Sequence, residues 1–531
     1  VVQKLELLDT TLRDGSQATG VSLTVEDKVK IALLLDELGI DYIEGGWPGS
    51  NPKDVEFFKV IKDYNLRYAK VAAFGSTRRK DSKVDQDKNV ETILEAGVDV
   101  AVIFGKSWVL HVDQILRVTK EENLEMIYDT INYLKSHGLK VIFDAEHFYQ
   151  GFKEDPEYAL QVLKVAEEAG ASTVVLCDTN GGALPWEVYE ITKKVVSLSR
   201  AIVGVHMHND IGCAVANTLM GVLAGARHVQ GTINGVGERT GNADLIQVIP
   251  TLYYKMGFSV LKGSDSIKML KKISTLVYEI LSLDQNPYQP YVGEYAFAHK
   301  AGVHVDAVLK NPKAYEHIDP ELVGNTREIV VSDISGSANL VVKLRELGID
   351  VSKRDTRIRN ALSKIKKLGK DGYNFDLAPE LAVLIVLKEL GYVDDELVLK
   401  NWKVTVDRGM IVAEVQINGT KSVAEGEDFV VTIFKAISDA ISTLYPWLPI
   451  PKITSSSVTM LNNGLYRVTI TLNALGIKFS VQEVSRNIFD AFTKCFVNAY
   501  EYLITINKIK SDTIKMYIDN NPGFMKEVII K

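Results

Sequence analysis

His206 and His208 flank Met207, and that spacing is the feature of this sequence best suited to chemistry. In an extended strand, positions two apart point to the same face, so both imidazoles enter one space. Two imidazoles and one carboxylate make a divalent-metal site that leaves positions for substrate. A lone buried histidine is more often a hydrogen-bonded core residue. Two of only nine histidines at this spacing, where a strand ends, favour a metal instead. Asp14 is the most natural carboxylate, because the first strand ends at the same mouth; Asp178 and Glu44 compete for the role. Zn, Mn, Mg and Co all suit such a set. Arg13, beside Asp14, suits a substrate oxygen that becomes negative during reaction. Its structural alternative is an ion pair with Glu44 or Asp178.

Other strand ends carry polar groups too. They are Asp9-Thr10-Thr11, Glu44-Gly45-Gly46, Asp144-Ala145-Glu146-His147, Cys177-Asp178-Thr179-Asn180 and the loop Asn234 to Asn242. That loop holds Gly235, Gly237 and Gly241 in a G-x-G-x-x-x-G spacing, which is not a dinucleotide fingerprint, and Glu238 would repel a pyrophosphate. It shapes a binding loop. Cys177 reads as a small buried hydrophobe. His304, in Ala298-His299-Lys300-Ala301-Gly302-Val303-His304, reads on its residue type alone as surface decoration.

The elements that must position these groups are strands alternating with helices. Strands are predicted at 5–8, 42–44, 69–74, 98–104, 140–143, 173–176, 202–205 and 227–231. Thr24 with Asp27 forms a capping-box pattern, and Pro156 and Pro185 sit where helices begin. Gly39, Gly97, Gly138, Gly170 and Gly225 stand where left-handed helix caps are expected. Eight such units in about 250 residues predict an α/β chain with a (β/α)8 TIM barrel, whose reacting groups gather at the C-terminal strand ends. A doubly wound open sheet is the structural alternative.

The expected division is a catalytic barrel at 1–260, helical linker subdomains at 261–400 and a C-terminal α+β regulatory domain with an internal repeat at 401–531. A basic stretch at 351–370 suits a phosphate-bearing ligand but reads better as a solvated helix face. The repeat consists of strands at 403–406 and 412–417 before a helix at 430–444, then strands at 458–460, 466–472 and 477–481 before a helix at 485–503. None of its residues suggests chemistry, so sensing or assembly is expected of it.

The 531 residues are 46% hydrophobic and 24% charged, an ordinary folded profile with room for a large core. A formal charge of -7 argues against nucleic-acid binding. No apolar run reaches membrane-spanning length. Three scattered cysteines fit a reduced, cytoplasmic setting without a disulfide framework. The first residues lead straight into a strand, leaving no room for a signal peptide.

Thr11-Leu12-Arg13-Asp14-Gly15-Ser16-Gln17, His206-x-His208-Asn209-Asp210 and Gly237-Glu238-Arg239-Thr240-Gly241-Asn242 together resemble the 2-isopropylmalate, citramalate and homocitrate synthase family. The resemblance covers essentially the whole chain. The segments from Glu44 to Asp54 and from Tyr315 to Asn325 most resemble the family's citramalate branch. Ser16 departs from the Glu common in the isopropylmalate branch, without removing a ligand. What the resemblance implies is a metal-dependent Claisen-type condensation of acetyl-CoA with a 2-oxo acid, here pyruvate. It implies Asp14, His206, His208 and Asn242 as metal ligands, Arg13 on the 2-oxo oxygen and Thr179 on the carboxylate. Glu146 would serve the acetyl-CoA end. His304 and Tyr315 would reach the active site of a neighbouring subunit, making a homodimer part of the mechanism. An end-product amino acid, isoleucine or alternatively leucine, would bind the C-terminal domain.

Rival readings are 2-isopropylmalate synthesis from 2-oxoisovalerate, an acyl-CoA lyase on the same barrel, an iron oxygenase and a non-enzymatic sensor. Lyases of the hydroxymethylglutaryl-CoA type carry a cysteine in the glycine-rich loop, and Asn234 to Asn242 contains none. The two-histidine oxygenases sit on other folds, and Arg13, Asp14, His206 and His208 together argue against an inert barrel.

Overall fold

The computed structural model describes residues 3–332, 335–393, 396–474 and 476–520. Eight strands close into a barrel: β1 (Glu6–Asp9), β2 (Tyr42–Gly46), β3 (Lys70–Ser76), β4 (Val100–Lys106), β5 (Lys140–Glu146), β6 (Thr173–Asp178), β7 (Ile202–Met207) and β8 (His228–Gly231). Each pairs in parallel with the next, and β1 closes on β8 with Glu6 opposite His228 and Asp9 opposite Gly231. Closure excludes the open-sheet alternative.

Six strands run two or three residues beyond their predicted C-terminal ends. The cause is pairing across the sheet, which outweighs the low strand propensity of the polar residues there. Lys106 pairs with Glu146, Cys177 with His206 and Asp178 with Met207. Strand therefore carries Glu44, Glu146 and His206 to the mouth, while Arg13, Asp14, Thr179, His208 and Asn242 lie just past strand ends.

Alternation divides each strand's residues between two cores. Leu8, Tyr42, Phe74, Val102, Ile142, Val175 and Cys177 fill the barrel interior. Leu7, Ile43, Ile103, Phe143, Leu176 and Val229 pack outward in the layer shared with the helices. Helix Val25–Leu38 opens with a reciprocal capping box: Thr24 Oγ1 accepts from the Asp27 N–H at 3.1 Å, and Asp27 accepts from the Thr24 N–H at 3.0 Å. Pro156 and Pro185 begin helices Pro156–Ala169 and Pro185–Leu198. The five expected cap glycines all have positive φ.

The chain divides into two compact units, Val1–Phe297 with Ile318–Thr326, and Ala298–His317 with Arg327–Lys531. The second unit starts with a short parallel pair, β9 (Ala298–His299) and β10 (Glu328–Ile329), and helices Gly302–Lys310, Ser337–Glu346, Thr356–Lys370 and Pro379–Leu390. Thr356–Lys370 buries Ile358, Ala361 and Ile365, while Lys364 pairs with Glu389 and Arg357 with Asp355. The basic stretch is thus the solvated face of an amphipathic helix.

Two antiparallel meanders follow. β11 (Leu399–Asp407), β12 (Met410–Ile417) and β13 (Thr420–Gly426) precede helix Phe429–Leu444; β14 (Lys452–Met460), β15 (Tyr466–Ala474) and β16 (Ile477–Ser485) precede helix Ile488–Asn520. The internal repeat is three strands and a helix in both halves. β13 was not predicted, because its Lys and Glu residues lower strand propensity, and edge strands tolerate such charges. No helix among the described residues is long and apolar enough to cross a membrane.

Candidate metal centre

β7 delivers His206 on its last turn of pleat, and the chain stays extended through His208, which pairs as an isolated bridge with Asn242. Met207 O accepts from the Ala243 N–H and Gly241 O from the Asn209 N–H, both at 2.9 Å. These bonds stitch the loop after β8 onto the end of β7. Two glycines make the fit possible. A Cβ at Gly237 would lie 1.9 Å from Asn242 Oδ1, and one at Gly241, whose φ is +94°, would lie 2.0 Å from Gly235 O.

Asp14 reaches the same point from the turn after β1, held by its own N–H to Thr10 O at 2.9 Å. Its Oδ2 lies 3.2 Å from His206 Nε2 and 3.7 Å from His208 Nε2, and the two Nε2 atoms are 3.3 Å apart. All three side chains are buried, and together they form a group able to hold a metal ion. Asn242 joins them, donating from Nδ2 to Asp14 Oδ2 at 2.8 Å. Its Oδ1 is buried without a hydrogen-bond partner. A lone buried acceptor beside two imidazole nitrogens and a carboxylate fits a hard or borderline divalent cation, which gives such oxygens a partner. Asp178, expected as a competing ligand, instead accepts from Gln150 Nε2 and the Ala183 N–H.

Charge at the centre is strongly polarised. Burial opposes ionisation of Asp14, but Arg13 and the two imidazoles outweigh it and hold the carboxyl well below the usual range. Burial, reinforced by His206, lowers His208 to about 4, so this ring is neutral and free to act as a ligand. Glu44 is the partner of Arg13 rather than of a metal, accepting from Arg13 Nε at 2.6 Å and from Thr10 Oγ1 at 2.7 Å. That ion pair and a place on the cavity wall coexist. The guanidinium carbon lies 3.8 Å above the Phe74 ring, and Arg13 lines the cavity with Asp14, His206 and His208.

This cavity, about 200 Å3, is walled by Trp47, Phe74 and Phe104 and also lined by Glu146, Thr179 and Arg239. Phe74 and Phe104 stack at 5.2 Å, and Trp47 meets both edge-on. Glu146 is ion-paired with Lys106. Thr179 Oγ1 accepts from the His147 N–H at 2.8 Å, and Arg239 binds both Asp210 and Thr179 O. Cys177 is buried in the barrel interior, and burial pushes its thiol well above the ordinary range. It is a packing residue.

His304 and Tyr315 belong to the second unit. Both are exposed, and their rings lie 4.3 Å apart, His304 on helix Gly302–Lys310 and Tyr315 just after Pro312–Ala314. Asp144 was read only as one of the strand-end polar groups and Trp47 only within the segment from Glu44 to Asp54, while Phe74, Phe104, Lys106 and Gln230 were missed in the sequence. For Phe74, Phe104 and Gln230, the available signal was alternation along strands once their ends were known.

Beneath the triad, the barrel interior holds a second set of polar groups. His206 Nδ1 lies 2.8 Å from Gln230 Oε1. Gln230 Nε2 lies 3.0 Å from Asp144 Oδ1 and 3.3 Å from His228 Nε2. His228 Nδ1 is 3.3 Å from Glu6 Oε2, and Lys140 Nζ reaches both Glu6 at 3.4 Å and the Tyr42 hydroxyl at 2.5 Å. The His228 hydrogen bond, opposed by burial and helped by Lys140, lowers the Glu6 carboxyl to about 2. Burial, reinforced by Glu44, raises Asp144 to about 7.

The closed barrel and the buried aspartate–histidine set define a metal-binding enzyme of the HMGL-like class. Residues 4–277 match the HMGL-like family and residues 291–373 the homocitrate synthase post-HMGL domain-like family, and the chain belongs to the HMGL-like family. Relatives matching it along nearly its whole length include (R)-citramalate synthases and, at 32% identity, the 2-isopropylmalate synthase of Methanocaldococcus jannaschii. The (R)-citramalate synthase of Sulfolobus acidocaldarius is 54% identical over 518 residues, covering 96% of this chain and 99% of the relative. That of Aquifex aeolicus is 47% identical over 507 residues, covering 92% and 96%. The 2-isopropylmalate synthase of Sulfurisphaera tokodaii is 39% identical over 393 residues, covering 73% and 97%.

Proposed function

We infer that the chain acts as an (R)-citramalate synthase, condensing acetyl-CoA with pyruvate and releasing CoA. The observation that carries this is 54% identity to such an enzyme across 96% of the chain, with the buried Asp14, His206 and His208 set at the barrel mouth. A divalent ion held by Asp14, His206, His208 and Asn242 would supply Lewis-acid polarisation of the 2-oxo group. Arg13 would stabilise the negative charge that develops on that oxygen, since its guanidinium is fixed by Glu44 and Phe74 before substrate arrives. Thr179 would bind the acceptor carboxylate through its hydroxyl. Glu146 would serve the acetyl end, where the methyl proton must be removed in a site closed to water.

His304 and Tyr315 are assigned to proton transfer at the active site of a second copy of the chain, which makes the working form a homodimer. The aromatic wall of Trp47, Phe74 and Phe104 favours a small acceptor such as pyruvate over 2-oxoisovalerate. The part from 401 onward is assigned to regulation, with isoleucine as effector and leucine as the alternative. The setting assigned to this chemistry is cytoplasmic isoleucine biosynthesis.

The test is release of CoA thiol from acetyl-CoA with pyruvate, 2-oxoisovalerate or 2-oxoglutarate, with and without added divalent metal. Metal-dependent release with pyruvate, lowered by isoleucine, is the expected result. Preference for 2-oxoisovalerate would move the acceptor, and no release at all would bring back the lyase reading.

A further inference from the structure

Gln230, on β8's interior face, touches no group assigned to substrate, but contacts one expected metal ligand, His206, and two further polar side chains inside the barrel. An amide has one acceptor and two N–H donors, and which end faces which neighbour is settled by the neighbours' own chemistry. At the far end of the chain of contacts, the Glu6 carboxylate can only accept. His228 must therefore carry its proton on Nδ1, 3.3 Å from Glu6 Oε2. That leaves His228 Nε2 as an acceptor, facing Gln230 Nε2 at 3.3 Å. The second N–H of the same amide nitrogen meets Asp144 Oδ1 at 3.0 Å, an oxygen that accepts in either protonation state. Both donors of Gln230 are thereby committed, and its Oε1 is left facing His206 Nδ1 at 2.8 Å.

We propose that Gln230 is a positioning residue that fixes the tautomer and ring orientation of His206, relaying through His228 a polarity set by Glu6 near the opposite end of the barrel. A carbonyl oxygen at Nδ1 places a His206 proton there; Asp14 Oδ2, 3.2 Å from Nε2, can accept from that nitrogen while the ring carries two protons, and the proton lost on neutralisation or metal binding is the one on Nε2. His208 has no such support. Its Nδ1 is buried without a hydrogen-bond partner. The two imidazoles are thus unequal: one is oriented by a relay through the barrel interior, the other by the backbone pairing with Asn242. Partners of this kind on a ligand imidazole typically contribute about 10- to 100-fold in metal affinity.

This inference rests on the reading of Asp14, His206 and His208 as a metal site, and the test separates the two. In metal-free, 15N-histidine-labelled protein followed through a rising pH series until the spectra stop changing, long-range 1H–15N spectra report which nitrogen of His206 keeps its proton. The expected result is an Nδ1-protonated ring, and an Nε2-protonated ring in the unaltered protein would overturn the proposal without any variant. In Gln230→Met, of similar size but with no acceptor, the His206 signals should move toward the other tautomer. Binding of Co2+ alone, followed by its absorption spectrum, should then weaken by about 10- to 100-fold. Gln230→Glu restores an acceptor at Nδ1 and should restore the tautomer. Unaltered tautomer and Co2+ affinity in Gln230→Met would overturn the inference but leave the metal site standing. Failure of the unaltered protein to bind Co2+ would overturn the metal reading itself.

Discussion

The two ends of one barrel interior contain similar side chains put to different use. At the floor, Glu6, Tyr42, Lys140 and His228 are joined in mutual hydrogen bonds. At the mouth, Glu44 Oε2, His208 Nδ1 and Asn242 Oδ1 are buried with no partner at all. A buried polar atom left unpaired costs about 1–3 kcal/mol, so a fold keeps several together only where something else completes them. Thr173 Oγ1, at the start of β6, is unpartnered too, so a lone unfinished group does not mark a functional site; what distinguishes the mouth is that its unfinished groups adjoin a buried carboxylate and two imidazoles.

That comparison can be broken most decisively at the mouth. His206→Ala or His208→Ala should lower kcat by at least about 10^3-fold, because several kcal/mol of charge stabilisation are lost with the ion. Arg13→Lys should cost about 10^2- to 10^3-fold in kcat. In both cases the protein should stay folded at the assay temperature, and a fall in melting with activity retained would reverse the assignment of the two ends. At the floor the opposite is expected. Glu6 is lowered from its ordinary 4.5 to about 2, so its contribution is fully present above about pH 4.5 and is lost as the pH falls through 2. Glu6→Gln should destabilise the protein by about 2 kcal/mol at pH 7 with little change in kcat. In denaturant titrations the gap to the parent should narrow between pH 4.5 and 2. A constant gap would mean the floor pairing carries no such weight.

The smallest effect serves as a reference outside both ends. Thr24→Ala removes half of the capping box of Val25–Leu38 and should cost about 1 kcal/mol with no change in metal binding or turnover.

What was legible in the sequence follows from the same physics. His206 and His208 were readable because a strand turns a spacing of two into one shared face, and Asp14 because parallel strands must end together. The barrel was readable from the alternation of strands, helices and cap glycines. Asp144 and Gln230 were not singled out, since their importance lies in contacts between β5, β7 and β8 whose register no local pattern specifies. Glu44 shows the same limit. Its position at a strand end was correct, but only distance decides between a metal and Arg13, and Arg13 Nε stands at 2.6 Å. Trp47, Phe74 and Phe104 were given no role, because nothing local separates a core aromatic from one whose cluster opens on a cavity.

The glycine at 237 has a consequence for how this protein can vary. Asn242 Oδ1 occupies the volume where any side chain at 237 would begin, so a change there is felt at the centre although the residue itself touches no substrate. Glu238, next to it, is exposed and faces no comparable limit, whereas Val236 is half-buried against the core. In a library randomised across this loop, tolerance should therefore be discontinuous from one position to the next. The loop behaves as a lock on its alphabet, admitting drift in chemistry at exposed positions such as Glu238 and none in size at Gly237 and Gly241.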